Sequence, residues 1–163
     1  MKHTALKFAA AAIFAAGASS VLAQQQQTVI SLDTAKKMAA ACETLANSQG
    51  WKVIIAVVDG GGNLKYLSRM DGAFLGSIEI AQLKAGSSAK FPFSTRMLGE
   101  IAQKYVPGIV YVPGLVTFPG GLPIVTAKGE HLGSIGVSGV TADQDEQCAQ
   151  AGVDAVKGDL NLK

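Results

Sequence analysis

Three residues of this 163-residue chain combine types and spacing that suit small-molecule chemistry: Arg69, Asp71 and Lys84. An arginine can grip a carboxylate with two parallel N–H donors. A lysine nearby adds a second positive charge, and an aspartate can move a proton, as an isomerase or tautomerase acting on a small carboxylated metabolite requires. The same residues also suit a plainer arrangement, in which Arg69 pairs with Asp71 and Asp71 caps the helix that follows. Glu79 stands among apolar neighbours on that helix and can pair with Lys84 or hold a cation. Gly120-Gly121-Leu122-Pro123 opens a strand with free backbone N–H groups, which can receive an anion.

Other chemistries are excluded or weakly supported. The only histidines are His3 and His131. His131 precedes a glycine-rich strand and can serve a metal or haem iron, or simply face solvent on a hairpin. Gly136-Val137-Ser138-Gly139 lacks the spacing of a nucleophile elbow, and the histidine lies upstream of that serine, which argues against a serine hydrolase. Paired zinc ligands are absent, and so is the C-x-x-C-H motif of covalent haem attachment. Asp59-Gly60-Gly61-Gly62-Asn63 joins two strands and therefore reads as a hairpin turn, not a phosphate loop. Gly133, Gly136 and Gly139 share one strand, where they permit close packing of backbone or close approach of a ligand.

The elements that must position these residues follow from periodicity. Residues 31–49 carry apolar side chains at helical steps, with Ser31 or Asp33 able to cap the start and Gly50 the stop. Residues 53–58 form a β-branched run, and residues 64–69 complete a hairpin with it. A second helix, about 73–89, is apolar or small nearly all round, so it is buried on more than one side, a partner subunit being one way to cover it. Thr95 to Lys104 is a third, shorter helix. Residues 105–121, rich in proline and glycine, read as loop with short strand pieces. Leu122–Ala127 and His131–Ser138 form a second hairpin. Thr141-x-x-Gln144 is a capping box for a last helix, about 142–158, with Asp143, Asp145 and Glu146 at its positive end. Hairpin connections predict an antiparallel sheet with helices packed on it.

Composition bounds the setting. Lys2 and Lys7, a short apolar run and Ser19-Ser20-Val21-Leu22-Ala23 read as a cleavable signal peptide over residues 1–23, with residues 24–30 a flexible start to the domain at 31–163. The expected location is periplasmic or secreted. The chain holds 14 basic and 12 acidic residues, and loss of Lys2 and Lys7 leaves 12 against 12. A neutral mature chain offers no basic stripe for nucleic acid or an anionic membrane, so neither is an expected partner. Cys42 and Cys148 are either disulfide-bonded, which an oxidising compartment allows, or two small core residues.

Several segments together resemble the GlcG/HbpS family of haem-binding and haem-degrading-like proteins. They are Ala56–Leu64 with its glycine turn, Arg69-Met70-Asp71-Gly72-Ala73, and the helix through Ser77, Ala81, Lys84 and Ala85. Gly120–Ile124 and Gly133–Gly139, leading into Asp145-Glu146 and Gly152, complete the match. The resemblance implies an α/β (α+β) domain with a profilin-like antiparallel sheet of about five strands and helices on both faces. It also implies a homo-oligomer, a dimer or larger. Exported members of the family look like haem sensors or carriers, whereas intracellular members accompany small-metabolite pathways. The implied function here is non-covalent binding of haem or a related tetrapyrrole. Enzyme action on a small carboxylate and a ligand-free periplasmic assembly role are the alternatives. By resemblance, Arg69, Asp71, Lys84, Gly120, Gly121 and Ser138 match recurring family positions, as does Thr95 after Phe91-Pro92-Phe93. His131 stands outside the recognised pattern.

Overall fold

The computed structural model describes residues 28–162, so the expected signal peptide lies outside the described residues. Helix α1 (Leu32–Gln49) starts at Ser31, whose side chain accepts from the Thr34 N–H, and stops at Gly50 in the left-handed conformation. The strands are β1 (Ile54–Asp59), β2 (Leu64–Arg69), β3 (Gly121–Val125) and β4 (His131–Ser138). Between them lie α2 (Ser77–Lys90), α3 (Thr95–Lys104) and a 3-10 turn at Pro107–Tyr111. Helix α4 (Ala142–Leu160) closes the chain, and the capping box at Thr141 and Gln144 is formed.

The sheet is antiparallel throughout, in the order β2-β1-β4-β3. It has four strands rather than about five, because residues 105–120 form the 3-10 turn and loop instead of a strand. Helices cover both faces. Val53, Ile55 and Val57 join Ile135 and Val137 under α1 and α4. Ile54, Ala56 and Val58 face α2 through Ala81, Ala85 and Ala89. Burial on both faces explains why β1 reads as an unbroken apolar run. Ile30, just before α1, is buried in the α1–α4 core.

Two close approaches set the layer spacing. A Cβ on Gly136 would lie 2.2 Å from the Ala81 carbonyl oxygen and 2.4 Å from the Ala85 nitrogen. Helix α2 therefore rests directly on the β4 backbone, and the glycine of this strand serves packing, not ligand approach. On the opposite face a Cys42–Cys148 disulfide joins α1 to α4, both cysteines being fully buried. The start of α2 differs from expectation. Gly72, at φ +84, turns the chain, the Ala73 N–H donates to the Met70 carbonyl, and the helix begins only at Ser77. Gly76 occupies the cap position without a side-chain bond, so Asp71 does not cap α2.

Candidate functional site

The structure divides the expected site residues between two places. The first is a closed ionic centre beneath α2. Lys84 is 1% exposed, and its Nζ donates to Asp145 Oδ2 at 2.7 Å and to the Val137 carbonyl at 2.9 Å. The Phe118 ring covers the remaining side, its centroid 5.0 Å from Nζ. Asp145 Oδ1 accepts from the Val140 N–H at 3.1 Å. Burial pulls the Lys84 ammonium below its usual range and pushes the Asp145 carboxyl up, each partner opposing the shift in the other. A buried pair is tolerated only when its spare donors and acceptors are used, as they are here.

Several expected residues wall this centre. Thr95 is fully buried at the first turn of α3, and its Oγ1 accepts from the Gly121 N–H at 2.9 Å. That N–H is therefore taken, and the Gly120-Gly121 pair does not present it to an anion. A Cβ on Gly120 would sit 2.6 Å from Lys84 Nζ, and one on Gly121 would sit 2.4 Å from the Lys84 carbonyl oxygen. Ser138 is also buried, opposite Ile54 in the sheet. The arrangement leaves no room for a ligand beside Nζ. Its work is to pin α2, β4 and α4 together, and Arg96 adds an exposed tie from α3 to Asp143 and Glu146 of α4.

The second place is a polar cleft of about 320 Å³ at the far end of β2. Arg69 and Asp71 line it together with Lys52 and Glu43. The Arg69–Asp71 ion pair does not form. Arg69 Nη2 reaches only the Ala73 carbonyl, at 3.5 Å, and Glu43 is bonded to Ser68. None of the polar partners of Lys84 is Arg69, Asp71 or Glu79, so the three-residue constellation is not one site.

A larger concavity went unread in the sequence. A groove of about 510 Å³ runs along the outer side of α2. Its floor is helical, with Gln82, Leu83, Gly86 and Ala89 between Glu79 and Lys90. The glycine turn Gly60–Gly62 and Gly114 form its walls. A glycine inside an otherwise regular helix was the one available signal. His131, by contrast, lines none of these cavities. Burial holds its imidazole below the usual histidine range, and Nε2 is buried without a hydrogen-bond partner. Among the described residues no three His, Cys, Asp or Glu side chains cluster as a metal site. No helix there is long and apolar enough to cross a membrane.

Fold and cavities together define a small α+β domain with a closed ionic core and open surface grooves. The sequence belongs to a recognised group with that architecture. The family model described as haem degrading protein HbpS-like matches residues 30–154, and the chain belongs to this family. GlcG of Escherichia coli is 36% identical over 112 residues, spanning 69% of this chain and 83% of that protein. The crystal structure of HbpS superposes with a TM-score of 0.77 at 36% identity, covering 82% of this chain and 94% of the other. The crystal structure of a PduOC–haem complex follows at 0.71 and 26% identity, covering 78% and 95%.

Proposed function

We propose that this protein is an exported, oligomeric binding protein that holds haem or a related tetrapyrrole without a covalent bond. The observation that carries the reading is kinship: the chain belongs to the HbpS-like family and shares its fold with a protein crystallised with haem. The residues present suit the organic part of such a ligand. The α2 groove falls within the roughly 300–1,000 Å³ of small-molecule pockets, and its glycine walls admit a flat ring. Its lining contains no His, Cys, Met or Tyr, so this groove supplies no usual axial ligand from this chain. Bound haem would contribute light absorption and redox capacity, and the chain would contribute the enclosing surface.

Export rests on the N-terminal pattern, and the buried disulfide is consistent with an oxidising compartment. Assembly is supported by exposed apolar side chains too large for an isolated surface: Phe74, Leu75, Tyr105 and Tyr111 are each more than 70% exposed. At roughly 150–250 Å² per aromatic side chain these residues supply a good part of the ~800 Å² that each partner of a stable pair buries. Titration of the mature protein with haemin tests the binding reading. A saturable Soret shift is expected, and its absence at micromolar haemin overturns it. Native mass checks assembly, and fractionation of cells expressing the full chain checks export.

One observation favours a second reading. Arg69 and Lys52 share a cleft with Glu43 and Asp71, yet among the described residues neither cation has a carboxylate within ion-pair distance. A small carboxylated molecule fits that chemistry. Isothermal titration of wild type and Arg69→Ala with small dicarboxylates separates the two: binding lost in the variant supports the cleft, and no binding by wild type removes it.

A further inference from the structure

We infer that the groove on the outer side of α2 is the binding site for a flat, carboxylate-bearing ring ligand, and that Gly86 keeps it open. The inference deepens the tetrapyrrole reading and rests on it for the identity of the ligand.

Gly86 is a helical glycine that packing does not explain. Within a helix glycine costs about 1 kcal/mol relative to alanine. Other helical glycines here have a steric reason. A Cβ on Gly99 of α3 would lie 2.3 Å from the Thr117 carbonyl oxygen, and one on Gly152 of α4 would meet Ile135 at 2.8 Å and the Met38 carbonyl at 3.0 Å. Gly158 stands in the last turn of α4, where helix ends fray. Gly86 lies well inside α2, and a Cβ there would meet nothing within 4 Å. That empty space is the groove itself. Any larger side chain would stabilise the helix and fill the cavity, so the glycine serves the cavity and not the fold.

The surroundings specify what the groove takes. Leu83 and Ala89 flank Gly86 with apolar surface, and Gln82, whose amide donates to the Ile78 carbonyl within its own helix, adds a polar side chain to the floor. Away from the helix the lining is glycine, at Gly60–Gly62 and Gly114, so backbone and not side chain limits how closely a planar ring approaches there. Glu79 and Lys90 lie eleven residues apart on the same helix, about 16 Å at 1.5 Å per residue. The opposed charges orient an anionic ligand: its carboxylate edge goes to Lys90 and its uncharged edge to Glu79. Lys90 Nζ is held at that end by the Gly114 carbonyl, 3.3 Å away, and keeps further N–H donors for a carboxylate.

The experiment uses the mature protein with Gly86→Leu, Gly86→Ala and Lys90→Gln. Two probes are titrated: haemin, followed at the Soret band, and pyrenebutyrate, a flat aromatic carboxylate followed by fluorescence. Gly86→Leu is expected to weaken both at least ~30-fold while raising the thermal midpoint, with Gly86→Ala weakening them less. Lys90→Gln is expected to weaken haemin several-fold yet leave haemin dimethyl ester, which lacks free carboxylates, unchanged. Wild-type affinity in Gly86→Leu overturns the groove assignment and leaves the haem reading standing. Pyrenebutyrate binding without haemin binding overturns the haem reading and leaves the groove. Binding of neither overturns both. A change in native mass in Gly86→Leu identifies the groove as a subunit contact and overturns the assignment.

Discussion

The ionic centre beneath α2 allows a sharp test of whether Lys84 is a structural pin or a ligand-handling group. Lys84→Met keeps the length and removes the charge. It leaves the Asp145 carboxylate 2% exposed, with the Val140 N–H at Oδ1 and no partner within ion-pair distance at Oδ2. Breaking a buried pair from one side costs about 3–5 kcal/mol, because a desolvated charge is stranded. For a domain of this size 1 kcal/mol moves the midpoint by about 3–5 °C, so a fall of about 10–20 °C is expected. The double variant Lys84→Met/Asp145→Asn removes both charges and retains an oxygen for the Val140 N–H. It is therefore expected to be more stable than Lys84→Met alone. Urea unfolding of the wild type, both single variants and the double variant gives the coupling energy directly. A cost below about 1 kcal/mol for Lys84→Met, or a double variant no better than the single one, refutes the pin. Loss of ligand binding by Lys84→Met at unchanged stability would instead make Lys84 a ligand-handling residue.

Opening the Cys42–Cys148 bond, which closes a loop of 106 residues, should cost up to about 5 kcal/mol by loop-closure entropy; denaturant unfolding of Cys42→Ala/Cys148→Ala against the oxidised protein measures it, and equal midpoints refute it. Gly136→Ala should prevent stable folding or lower the thermal midpoint sharply, because the new methyl meets helix backbone on α2 rather than a movable side chain. His131 is held below its usual range by burial, against a backbone hydrogen bond at Gly133 that raises it. Its contribution is therefore present above the unfolded value near 6.5 and is lost as pH falls through the lower folded value; stability measured from pH 7.5 to 5 should drop in the wild type and flatten in His131→Gln. Asp59 shows the carboxylate counterpart. Its slight burial works upward, but hydrogen bonds from Asn63 and Gly61 outweigh it and lower the value. Hairpin stability should therefore decline only as pH falls below about 4, and Asp59→Asn should remove that acid slope.

Local signals were the legible part of this fold. The hairpin at Asp59–Asn63, the stop at Gly50 and the capping box at Thr141 each act within a few residues, and each forms where its residues stand. The all-round apolar character of α2 also translated well, since one side lies on the sheet and the loop through Phe118 reaches another. The site was less legible because its partners are distant along the chain. Lys84 and Asp145 are separated by 61 residues. Asp145 looks like an ordinary acid near a helix N-terminus, a role that Asp143 and Glu146 also fill. Yet it shares a helical stripe with Cys148, Ala149, Gly152 and Val156, all buried. An acid on an apolar stripe has to find a buried cation, and Lys84, on the most apolar helix, was the one positioned to answer. The same logic separates Lys84 from Arg69: a lysine consumed by that demand is no longer available to a ligand in a cleft. Glycines needed the opposite inference. Those of β4 serve contact, because a Cβ would meet backbone, whereas Gly86 serves space, because a Cβ would meet nothing. Sequence shows only that glycine is present, and only the surroundings decide whether it is there to let something protein-made come close or to keep a place empty.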